Sequence, residues 1–231
     1  MENRARTKII LATLSRVYPN AHIILSYGSP WELLVAVILS AQCTDIMVNK
    51  VTKTLFVKYP TFEAYLNADP KKFEADIRST GFYHTKTKNI LGAAKAIRVH
   101  FHDSVPKNMQ DILTLPGVAR KTANVVLGNA YGVVEGMAVD THVIRLSQRL
   151  RLVPLNKIGG KKAVFINQSI IDFYKDASPE KIEAELMLVI PKPQWFSLTY
   201  RLIDHGRAIC KAKNPDCGAC PLSPYCPATR I

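Results

Sequence analysis

Four of the five cysteines fall within the last 22 residues, as Cys210, Cys217, Cys220 and Cys226. Their spacing, C-x6-C-x2-C-x5-C, supplies four thiolates, a donor set able to hold a [4Fe–4S] cluster. Structural zinc more often uses two close pairs, and only Cys217 and Cys220 form one, so zinc and free thiols are the weaker alternatives. Arg207, Lys211 and Lys213 surround this loop, either as cations for DNA phosphate or as solvated charges. Cys43 stands apart beside an apolar stretch and reads as a small buried hydrophobe.

A second constellation runs from Asp111 to Leu127, DILTLPGVARKTANVVL. Two helical stretches flank Pro116-Gly117-Val118-Ala119, a tight turn in which proline stops the first helix and glycine permits an unusual backbone angle. The second helix begins near Arg120, so its free N–H groups and positive dipole end make a phosphate site. Such a helix–hairpin–helix holds DNA backbone without reading bases. An ordinary helical hairpin is the competing reading. On its own, Lys121 is a solvated charge or a phosphate contact. Downstream, Val139-Asp140-Thr141-His142 places Asp140 as the N-cap of a helix, accepting N–H bonds that hold a carboxylate ionised in a fixed orientation.

These side chains must be carried by helices. Ile90, Ala94, Ile97 and Phe101 repeat at helical spacing, as do Ala163, Ile166, Ile170 and Tyr174. Ile182, Leu186 and Val189 follow Ser178 and Pro179, an N-cap and a first helical residue. Thr44 or Asp45 caps a helix with Val48, Val51 and Leu55 on its inner face. Trp31 to Ser40 is apolar on nearly all sides, as a buried central helix is. The only strand candidate is Val133 to Val139, and Gly136 interrupts it. The fold is predicted to be all-α, in two helical lobes: residues 21–133 with the hairpin, and residues 1–20 with 134–231 holding the cysteine loop.

Composition bounds the function. With 231 residues and 48% hydrophobic content, the chain can bury a substantial core. Lys and Arg number 31 against 18 Asp and Glu, a formal net charge of +13. That surplus attracts polyanions, though a soluble protein that is merely basic would show it too. The longest apolar run, Leu33 to Leu39, is too short to cross a bilayer, and no secretion signal is read at the N-terminus. Aromatic content of 8% argues against extended single-strand stacking. His142 and His205 lack metal spacing and read as structural.

Taken together, the motifs resemble those of the helix–hairpin–helix glycosylase superfamily, and the match to its endonuclease III group is close. The group's Leu-Pro-Gly-Val-Gly-Arg-Lys-Thr-Ala corresponds to Leu115–Ala123, with Ala119 at the second glycine. The resemblance implies that Lys121 is the nucleophile and Asp140 the catalytic aspartate, facing each other across a cleft. It implies that Gln42, in Leu39-Ser40-Ala41-Gln42, fills the space vacated by an extruded base. Phe82, in Gly81-Phe82-Tyr83, is implied as a wedge larger than usual. It further implies removal of oxidised pyrimidines with strand nicking at the abasic site, a [4Fe–4S] cofactor, and duplex DNA bearing damaged bases or abasic sites as partner. Contacts to DNA are expected from Gln42, Phe82, Gly117, Ala119, Arg120, Lys211 and Lys213. A monomer in the cytoplasm, associated with the nucleoid and with no membrane partner, completes the expectation. The rivals are a mismatch-specific glycosylase without lyase chemistry, whose relatives usually lack lysine at position 121, and a non-catalytic DNA-binding module.

Overall fold

A computed structural model describes residues 2–167 and 169–231, with side chains from Arg4 onward. The chain divides into two compact units, Ile23–Glu135 and the pair of segments Met1–His22 and Gly136–Ile231.

The unit Ile23–Glu135 is built around α2 (Pro30–Leu39). Ser29 caps it by accepting from the Glu32 amide at 3.2 Å, and Pro30 opens its first turn. Trp31 and every residue from Leu33 to Leu39 are buried. A helix apolar on all sides must be enclosed by other helices, and each large side chain buried this way contributes roughly 1.5–3 kcal/mol. α8 (Arg120–Tyr131) and α6 (Tyr83–Phe101) pack against it, with Ile90, Ala94, Ile97, Val126 and Leu127 in the shared core. α3 (Asp45–Lys58) starts at Thr44, whose hydroxyl accepts from the Met47 amide, and buries Val48, Val51 and Leu55.

The other unit joins α1 (Glu2–Val17), α9 (Thr141–Arg149), α10 (Pro179–Val189) and α11 (Trp195–Ala208). Ser178 caps α10 ahead of Pro179, and Ile182 and Leu186 are fully buried. Val189 is exposed, so the inner face of α10 is shorter than the spacing predicts.

The architecture is all-α with one small exception. The segment read as a helix through Ala163 and Tyr174 is instead an antiparallel hairpin of β1 (Ala163–Phe165) and β2 (Ile171–Tyr174). Val164, Phe165, Ile171 and Phe173 favour a pleated, half-buried surface. The Asn167 side chain accepts from the amides of Ser169 and Ile170, a local turn bond that competes with helix. The strand candidate at 133–139 forms neither strand nor helix. Among the described residues, no helix is long and apolar enough to cross a membrane.

Candidate active site and metal centre

Lys121 is delivered by a turn that only glycine can make. Gly117 has φ +78, and a Cβ added there would lie 2.7 Å from the Asn89 Cβ. The Val118 amide donates to the Leu115 carbonyl at 3.1 Å and closes the turn. α7 (Met109–Ile112) precedes it, and α8 begins immediately after Ala119. Ala119 sits at φ −98 and ψ 172, extended backbone that any residue adopts. The methyl group in place of glycine therefore costs no backbone strain. Its side chain caps nothing, so the first amides of α8 lack a side-chain acceptor from the cap position. Gly117 and Ala119 are exposed, and Arg120 is partly buried.

Lys121, the second residue of α8, is exposed.

Asp140 lies in the other unit, as the N-cap of α9. One carboxylate oxygen accepts from the amides of His142 at 2.9 Å and Val143 at 2.8 Å, leaving the second oxygen outside the cap. Half-buried and held at a positive helix end, this carboxylate is fixed in orientation. Behind it, Arg145 donates to the carbonyls of Gly206 and Cys210 and lies 3.2 Å from the His142 ring. A Cβ on Gly206 would fall 2.6 Å from His142 Nδ1, so glycine lets α9 and α11 approach.

Gln42 and Phe82 are both exposed, and both adopt left-handed backbone, with φ of 53 and 48. They end the turns after α2 and before α6. A non-glycine residue in this region is strained and persists only where its surroundings enforce it.

The four C-terminal thiols line one cavity with Leu146, Arg149, His205 and Ile209. Each is partly buried. Among the described residues, no group of three or more His, Cys, Asp or Glu side chains is arranged to hold one metal ion. Four thiols around one cavity are the donor set that an iron–sulfur cluster takes. Burial pushes the Cys226 thiol up to about 11 and raises that of Cys220, so these sulfurs need positive charge beside them to ionise.

Two buried side chains that the sequence did not mark serve these sulfurs. Arg149, 2% exposed, donates to Cys210 Sγ at 3.3 Å and to the carbonyls of Lys211 and Ala212. Its other edge is held bidentately by Asp172, which is fully buried and also accepts from Arg230. His205, read as structural, has Nε2 3.5 Å from Cys220 Sγ and Nδ1 3.0 Å from the Tyr18 hydroxyl. Burial lowers its pKa to about 4, so it faces the sulfur as a neutral ring. Lys211 and Lys213 are exposed on the loop between the first two cysteines, as is Arg207 at the end of α11.

Comparison with known proteins bears on both centres. Residues 35–164 match the HhH-GPD superfamily of base excision DNA repair proteins, and residues 210–226 match the iron–sulfur binding domain of endonuclease III. The chain is 46% identical to endonuclease III of Synechocystis, covering 98% of this chain and 94% of that one. It is 34% identical to the Escherichia coli K12 protein over 97% of this chain and 96% of the relative. A non-covalent endonuclease III–DNA complex and a trapped endonuclease III–DNA covalent intermediate both superpose with a TM-score of 0.85 at 39% identity, covering 98% of this chain and 96% of theirs. A thermostable thymine-DNA glycosylase shares the fold, with a TM-score of 0.78 at 21% identity.

Proposed function

The chain belongs to the HhH-GPD superfamily of base excision DNA repair proteins, and from that membership we propose that Lys121 and Asp140 carry out its chemistry on damaged duplex DNA. It is a base-excision-repair glycosylase with AP lyase activity and a [4Fe–4S] cluster. The observation that carries the residue assignment is the exposed amine of Lys121, two positions past a glycine-dependent turn and in the first turn of α8, which the Ala119 side chain does not cap. A phosphate on the amides of that turn brings the damaged sugar to the lysine.

The steps follow from the groups present. As the base leaves with the electrons of the glycosidic bond, positive charge develops on the sugar, and the capped carboxylate of Asp140 stabilises it. The neutral Lys121 amine bonds to C1′, loses a proton and opens the sugar ring as a Schiff base. Loss of a C2′ proton then expels the 3′ phosphate and nicks the strand. The exposed side chain of Lys121 is open to an extruded nucleotide. The rival without lyase chemistry would not need a lysine here.

Cys210, Cys217, Cys220 and Cys226 hold the cluster. When bound, it would offset part of the charge of the four thiolates and pin the loop from which Lys211 and Lys213 reach phosphate. Gln42 and Phe82 enter the duplex where the damaged nucleotide leaves it. Oxidised pyrimidines are the proposed substrates. A duplex panel carrying oxidised pyrimidines, mismatched thymine and alkylated purines tests this. Base release and nicking should be strongest on the oxidised pyrimidines, and preference for another class would overturn the substrate assignment.

A further inference from the structure

Lys86 is the one lysine of α6 that points away from solvent. It is 3% exposed, and its ammonium donates at 2.8 Å to the Leu39 carbonyl and at 2.8 Å to the Thr80 carbonyl. Leu39 is the last residue of α2, and Thr80 is the last residue of the short 3-10 turn Arg78–Thr80. Both carbonyls are therefore negative helix ends that favour a cation. The backbone amide of Lys86 donates in turn to the Phe82 carbonyl at 3.0 Å. One residue thus grips three points on two turns that are 47 and 6 positions away along the chain.

Burial lowers the pKa of this amine, so keeping it charged has a cost that a methionine of similar length would avoid. What the ammonium joins explains its presence. Three residues past Leu39 stands Gln42, and two past Thr80 stands Phe82. These exposed residues lie in left-handed backbone, as does Gly81 at φ 69. Backbone strain of this kind holds only when neighbouring contacts over-determine it.

We propose that Lys86 is a positioning residue for nucleotide extrusion, its ammonium tying the turns of Gln42 and Phe82 together so that both side chains enter the duplex as one rigid pair. The proposal rests on the reading of Gln42 and Phe82 as the inserted residues. Removal of the tie leaves phosphate contacts intact but lets the pair move independently.

The test uses the full-length holoenzyme with Lys86→Met and Lys86→Gln, the latter retaining a donor. The probe is a duplex with an oxidised pyrimidine beside 2-aminopurine, whose fluorescence rises when stacking is broken. Lys86→Met should slow single-turnover base release about tenfold and shrink the fluorescence rise. Its affinity for undamaged duplex should stay within about twofold of wild type. Lys86→Gln should fall between the two. In a Gln42→Ala, Phe82→Ala background, Lys86→Met should cause little further loss. Wild-type rate and fluorescence in Lys86→Met, or full additivity in that background, overturns the tie. If neither variant retains helical signal and cluster absorbance, the ammonium serves stability alone, which also overturns it. If Gln42→Ala, Phe82→Ala keeps the full fluorescence rise, the reading of those two residues fails, and the tie fails with it.

Discussion

Arg149 Nη1 lies 3.3 Å from Cys210 Sγ while Asp172 grips the opposite edge of the same guanidinium at 2.7 and 2.8 Å. This buried pair links β2 to the iron–sulfur loop. A guanidinium held rigidly by a carboxylate presents a fixed positive charge and an N–H donor to the Cys210 sulfur. Replacing Arg149 leaves the buried Asp172 with Arg230 alone, and replacing Asp172 leaves the buried Arg149 without its carboxylate, so each change costs at most about 3–5 kcal/mol. Arg149→Met and Asp172→Asn should therefore lower the melting temperature and the iron retained per chain. The double variant should lose less than the sum of the two. Iron content and visible absorbance after gel filtration check this, and full retention in Arg149→Met would separate the pair from the cluster.

Gly117 and Ala119 occupy the two glycine positions of the hairpin but stand under different constraints. Gly117→Ala forces a side chain into left-handed backbone and against Asn89, a cost of roughly 1–3 kcal/mol. It should weaken DNA binding and lower stability together. Ala119→Gly relieves nothing, since that backbone is already ordinary. It should cost only about 0.5 kcal/mol through chain entropy and leave DNA affinity nearly unchanged. Salt-matched binding curves and thermal melts on both variants make the comparison.

Capping and chemistry at Asp140 are separable. Asp140→Asn keeps an oxygen for the His142 and Val143 amides, so stability should stay close to wild type. It loses the negative charge opposite the developing cation, and base release should fall roughly 100-fold or more. Asp140→Ala should lose the same activity and also about 1 kcal/mol of stability. Single-turnover rates set beside melting curves distinguish a cap from a participant in the reaction.

Much of the helical frame is legible in the chain because its signals are local. Thr44 and Ser178-Pro179 start helices through their own side chains, and Leu33–Leu39 declares a buried helix by composition alone. The cysteine spacing and the hairpin turn are also local patterns. The hairpin at 163–174 was misread because its apolar residues satisfy helical spacing while their β-branched and aromatic types, with the Asn167 turn, favour strands. Arg149, His205 and Lys86 were missed for a different reason. Each acts on groups 15 to 61 positions away or on backbone carbonyls, and neither leaves a spacing signal.

Tyr59 gives the unit Ile23–Glu135 an alkaline limit. Burial, then the hydrogen bond its hydroxyl donates to Asp76 at 2.9 Å, raises its pKa from 10.0 to about 12. The folded state thus holds this proton more tightly than the unfolded chain. Its contribution is fully present below pH 10 and is lost as pH rises towards 12. Tyr59→Phe should be less stable than wild type at neutral pH and should lose stability less steeply above pH 10. Denaturant titrations of both proteins across that window read the difference directly, and parallel slopes would deny the linkage.

The central claim is that the Lys121 amine becomes bonded to the sugar of the damaged nucleotide. Borohydride reduction during reaction with a duplex containing an oxidised pyrimidine freezes that bond as a stable protein–DNA adduct, visible as a shifted band. Wild type should give the adduct, Lys121→Ala should give none, and peptide mapping should place the DNA on Lys121. An undiminished adduct in Lys121→Ala, or no adduct with wild type, would contradict the account.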